Sequence, residues 1–91
     1  MIPFFSGFVH TAKGVTCSGS GFIDLSTVQE CLDAVSYAKS FNSEAYFNAV
    51  SSWSSLPKGC FIGDSGNINF NTHSTGGKRF SYGSICKKGN T

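Results

Sequence analysis

Four cysteines, at positions 17, 31, 60 and 86, constrain this 91-residue chain more than any other feature. An even number of cysteines in a short chain reads as a disulfide framework, and hence as an oxidising compartment. Neighbouring cysteines are at least fourteen positions apart. Structural zinc sites favour cysteine pairs two to four residues apart, so Cys17, Cys31, Cys60 and Cys86 with His10 and His73 do not read as a metal centre. A chain of this length buries only roughly 60–65% of its unfolded surface. Each bridge adds roughly 2–4 kcal/mol to so small a core.

Composition narrows the class further. Charged residues make up 13% of the chain and the net charge is +2, which argues against a nucleic-acid partner. Gly, Ser, Thr and Asn fill the surface instead, as in secreted modules. Nine Phe, three Tyr and one Trp supply enough apolar surface for a packed core. No run of about 18 apolar residues is present, so no membrane span is expected. The opening MIPFFSGFVH lacks a basic n-region, and Pro3, Ser6 and Gly7 interrupt it, unlike a signal peptide. For a secreted chain the expectation is that a leader has already been removed or that the numbering starts at an expression start; a viral reading frame with an unprocessed Met1 is the other alternative. The expected location is extracellular, secreted or on a virion surface.

The chain divides into an apolar arm over residues 1–14, a module over 15–88 and a tail over 89–91. In the arm, Ile2, Phe4 and Phe8 alternate while Phe5 and Val9 point the other way. Such a segment either packs as a terminal strand on its own domain or donates a strand to a neighbour's sheet edge. Gly14 to Cys17 reads as a short strand. Ser26 with Gln29, or Thr27 with Glu30, forms a capping box that starts a helix. Val28, Cys31, Leu32, Val35 and Ala38 then recur at helical spacing, with the end expected near 41–43. Residues 43–50, SEAYFNAV, read as a short helical turn resting on Tyr46, Phe47 and Val50.

Cys60-Phe61-Ile62 and Asn67 to Asn71 read as two strands joined by Gly63-Asp64-Ser65-Gly66. Ile68 and Phe70 are expected inward, with Asn67, Asn69 and Asn71 on the opposite, solvent-facing side. Phe80, Tyr82, Ile85 and Cys86 suggest a last strand. The expected fold is α+β: one helix packed on a small antiparallel sheet, with two disulfides. Of the three possible pairings, Cys31–Cys60 and Cys17–Cys86 are favoured, because Cys31 lies on the inner helix face. The pairing 17–31 with 60–86 would close only local loops and leave helix and hairpin unstapled.

The ordered motifs Glu30-Cys31 with Ala34, Pro57-Lys58-Gly59-Cys60-Phe61, Asn69-Phe70-Asn71, Ser74-Thr75-Gly76 and Ile85-Cys86-Lys87 resemble a small cysteine-containing domain. That domain recurs in surface and secreted proteins of algae, other protists and some of their viruses. The resemblance covers about residues 15–88. Members commonly carry a further cysteine pair that is missing here, and no catalytic residues carry over. A helix bridged to a hairpin is also similar in layout to apple/PAN modules, which bind proteins and carbohydrates.

No catalytic residues are expected. A Cys–His nucleophile needs an unpaired thiol, and no G-x-S-x-G elbow is present. Gly63-Asp64-Ser65-Gly66 spells a protease-like string but sits in a hairpin turn. No cofactor is expected. Lys78, Arg79, Lys87 and Lys88 read as a solvated edge that discourages wrong strand pairing. Trp53 is either a core lid or an exposed ring. With Tyr82 and the Asn67, Asn69 and Asn71 ladder it forms a candidate glycan or partner face. The function expected is a non-enzymatic surface module for adhesion or assembly, binding protein or glycan. Two alternatives are a filament or capsid subunit that donates its N-terminal strand (Ile2, Phe4, Phe5, Phe8), and a secreted inhibitor or effector.

Overall fold

The computed structural model describes residues 7–88. Six strands and one α-helix follow in the order β1 (Phe8–His10), β2 (Ile23–Asp24), α1 (Val28–Ala38), β3 (Tyr46–Ser51), β4 (Gly59–Gly63), β5 (Asn67–Asn71) and β6 (Tyr82–Lys87). The fold is α+β, with α1 packed on one face of a single sheet. The sheet runs β1-β6-β4-β5-β3, and β2 also pairs with β6, continuing the edge that β4 leaves at Ile85. Every pairing is antiparallel except β3 with β5, which is parallel.

The β4–β5 hairpin forms where the sequence places it. Gly66 adopts a φ of +89°, and its amide donates to the Gly63 carbonyl at 3.1 Å. A side chain at Gly66 would also stand 2.8 Å from the Glu44 carbonyl, so only glycine fits. Ile68 and Phe70 face the helix as expected, beside Cys60, Ile62 and Ile85.

The helix begins at a complete capping box, but one residue later than the Ser26 alternative. Thr27 is the N-cap, its Oγ1 accepts from the Glu30 amide, and Glu30 Oε1 accepts from the Thr27 amide. Its buried stripe is Cys31, Ala34 and Ala38, with Val28 and Val35 at the flanks. Leu32, expected in that stripe, is 41% exposed. It lies about 100° around the helix from Cys31, and the small side chains of Ala34 and Ala38 set the face of close approach instead. Regular helix stops at Ala38 rather than near 41–43. The Ser40 and Phe41 amides bond Tyr37 and Ala38 three residues back, in tighter turns.

Two segments depart from expectation. Residues 43–50 contain no helical turn; Tyr46 to Ser51 is β3. The aromatic and β-branched residues that suit a helix contact equally suit a strand, and the open side of β5 offered a partner. Gly14 to Cys17 is not a strand. It leads into a 3-10 turn at Ser18–Ser20, closed by Gly21.

Both expected disulfides are present, Cys31–Cys60 and Cys17–Cys86. Cys60 pairs in register with Ile85, so Cys86 points to the opposite side of the sheet. One bridge therefore ties the helix layer to the sheet. The other pins the 11–22 segment across the far face.

Candidate functional site

The far face of the sheet was the expected binding face, and its polar residues turn out to be used internally. Asn69 and Asn71 are buried, 4% and 2% exposed, and Asn67 is half-buried. This corrects the solvent-facing ladder. The cause is topological. β3 and β4 run in opposite directions on either side of β5, so the chain between them must arch over the end of β5. Asn71 stands at that end and holds the arch. Its Oδ1 accepts from the Trp53 and His73 amides at 2.8 and 3.0 Å. Its Nδ2 donates to the carbonyls of Trp53, Leu56 and Pro57 at 2.7 to 3.0 Å. Asn69 accepts at Oδ1 from the side-chain Nδ2 of Asn48, and Asn67 Oδ1 takes the Ser65 hydroxyl.

Trp53 and Tyr82 do converge, but on a buried phenylalanine. Phe61 meets both rings edge-on, with centroids 5.8 and 5.2 Å away. Trp53 and Tyr82 are each half-buried, so they act as lids over Phe61. Phe80, expected in the last strand, precedes it and is 95% exposed beside Lys78 and Arg79.

Of the expected assembly arm, Ile2, Phe4 and Phe5 lie outside the described residues. Phe8 is described. It sits in β1, paired antiparallel with β6 of its own chain, and packs against the core. Tyr37 of α1 and Phe41 just beyond it clasp this strand through their aromatic rings. Phe8 approaches Tyr37 with centroids 5.8 Å apart, and His10 stacks on Phe41 at 3.7 Å. His10 Nδ1 lies 2.6 Å from the Tyr37 hydroxyl. Burial lowers the His10 pKa and raises that of Tyr37.

The opposite edge of the sheet is β3. Its six residues, Tyr-Phe-Asn-Ala-Val-Ser, carry no charge and no proline. Tyr46 and Val50 are 48% and 45% exposed, and among the described residues β3 pairs only with β5. Natural proteins usually blunt such an edge with charge, proline, a bulge or cover; of these, β3 has the register shift between Phe47 and Ala49. The sequence Tyr-Phe-Asn-Ala-Val-Ser has no strict apolar–polar alternation to mark a strand.

All four cysteines are in disulfides, so none offers a thiolate. His73 is turned inward on its own loop, where Nδ1 accepts from the Gly76 and Thr75 amides at 2.9 and 3.2 Å. Among the described residues no three His, Cys, Asp or Glu side chains gather in a metal-binding group, and no helix is long and apolar enough to cross a membrane.

Sequence reasoning passed over one concave region. It lies between the 16–18 turn, Asp24 of β2, Lys58 before β4 and the loop at Ser74-Thr75. Burial raises the Asp24 pKa and the nearby Lys58 ammonium opposes that rise. Nothing in the spacing of these residues links them; the Cys17–Cys86 bridge and the arch of residues 52–58 bring them together.

Comparison with family models, with curated proteins and with solved structures returned no match.

Proposed function

We propose that the protein is a non-enzymatic extracellular or surface module that works by contact, in adhesion or assembly, and that β3 is its contact edge. The observation that carries this reading is the uncharged, six-residue edge Tyr46–Ser51 with Tyr46 and Val50 half exposed. A partner strand laid along it would gain main-chain hydrogen bonds and two apolar side-chain contacts. Two disulfides fit an oxidising location. The resemblance of the 57–61 and 85–87 motifs to algal and protist surface domains supports the same reading.

The arm-donation alternative is favoured by one arrangement. β1, which is itself part of the arm and follows residues 1–6 in the chain, lies at the end of the sheet away from β3. A second copy reaching the β3 edge with residues 1–6 would make a heterologous contact, and repetition of that contact gives a filament.

Sedimentation of the oxidised chain over a range of concentrations tests both. The expected result is self-association that Val50→Lys abolishes. Loss of association on deleting residues 1–6 assigns the arm as donor. Association that survives that deletion keeps β3 as the edge and removes the arm. A monomer at every concentration sinks the self-assembly reading.

A further inference from the structure

We propose that the cleft lined by Thr16, Ser18, Asp24, Lys58, Ser74 and Thr75 binds a neutral oligosaccharide, whose hydroxyls are held by the Asp24 carboxylate and the Lys58 ammonium. This inference is independent of the β3 edge, which lies on other elements.

The lining dictates the ligand class. The cleft has a volume of about 290 Å³. It continues past Lys58 and Ser74 into a second hollow of about 380 Å³ bordered by Leu25, Ser26, Phe70 and Thr72. Together they fall in the range of small-molecule sites, about 300–1,000 Å³. One carboxylate and one ammonium leave no net charge, which disfavours an anion or a cation. The other four side chains are hydroxyls, able both to donate and to accept, with Ser18, Ser74 and Thr75 exposed to solvent. A ligand dense in hydroxyls matches such a wall.

Asp24 is the group that asks for a ligand. It is partly buried, yet among the described residues no side-chain or backbone donor reaches its carboxylate. Lys58 influences it without forming an ion pair. A carboxylate short of donors in a partly dry site takes hydroxyl donors strongly. Burial raises its pKa, and the Lys58 ammonium opposes that rise.

The walls are fixed before any ligand arrives. Cys17, between Thr16 and Ser18, is bridged to Cys86, and Asp24 pairs with that same Cys86 in the sheet. The Ser74-Thr75 loop is folded by His73 Nδ1. Gly59 lets the start of β4 lie close against Asp24 and Leu25. Its φ is +76°, and a side chain there would lie 3.4 Å from Asp24 Cβ and 3.1 Å from the Leu25 carbonyl. Such preorganisation lowers the ordering cost of binding.

The test is an amide chemical-shift titration of the oxidised whole chain with four probes: cellotriose, chitotriose, mannotriose and xylotriose. The expected result is saturable shifts at Thr16, Ser18, Asp24, Lys58, Ser74 and Thr75 with at least one of them. Asp24→Ala and Lys58→Met should each weaken that binding about tenfold or more, the loss of a charge-assisted hydrogen bond. Lys58 is exposed and Asp24 half-buried, and retained spectral dispersion shows that each variant folds. Val50→Lys should leave the titration unchanged, which separates this site from the β3 edge. No shift with any probe, shifts centred instead on Trp53 and Tyr82, or undiminished binding by both folded cleft variants overturns the proposal.

Discussion

Asn71 shows how one side chain can decide the path of a loop. It is 2% exposed and satisfies five main-chain groups of the 53–57 arch and of His73. Asn71→Leu keeps the branched outline of the side chain but leaves those groups unpaired. Urea denaturation should report a loss of roughly 2–4 kcal/mol. Ser84 is the opposite case. Its hydroxyl is buried beside Phe61 and has no partner among the described residues. Ser84→Ala removes an unsatisfied polar atom, so it should leave stability unchanged or raise it by up to about 1 kcal/mol. Neither role was legible in the sequence. Asn at alternate positions of a strand reads as a wet face, and only the arch over the end of β5 turns that face inward.

At the scale of elements, β1 is held from both sides: by β6 in the sheet and by the rings of α1 and Phe41. His10 makes that clasp sensitive to acid. Burial lowers its pKa in the folded chain below the ordinary value of about 6.5. The neutral ring is therefore the form that the fold favours. Its contribution is full above that ordinary value and is lost as pH falls through the lower folded value. Hydrogen exchange at the Lys88 amide, which bonds the Gly7 carbonyl, should accelerate as pH is lowered toward about 5, after correction for intrinsic rates. The acceleration should vanish in His10→Gln. A protection factor flat with pH in the native sequence would refute it. The helix itself was legible because capping and periodicity are local. Thr27 with Glu30 and the Cys31 face needed no tertiary information. β3 was not, since Tyr46, Phe47 and Val50 suit helix or strand, and the open side of β5 made the choice.

For the whole molecule, the two bridges lie on opposite faces of one sheet, so each guards a different layer. Cys17–Cys86 spans 69 positions and Cys31–Cys60 spans 29. Chain-entropy reasoning assigns them about 4.4 and about 3.6 kcal/mol. Replacing either pair by serine should lower the thermal midpoint sharply. Loss of 31–60 should free the helix layer, and loss of 17–86 should instead expose the 11–22 segment to protease. Equal proteolysis patterns in the two variants would contradict that division. The cysteine count, the inner position of Cys31 and the hairpin at 60–71 were enough to predict both pairings and the α+β class, because each rests on short-range periodicity and turn chemistry. The sheet order, the parallel β3, the inward Asn ladder and the cleft at Asp24 and Lys58 depend on contacts between segments far apart in the chain. No local pattern encodes which strand borders which, or which loop must cross a strand end. Those features follow from burying one apolar core with one chain path, and only the assembled structure decides them.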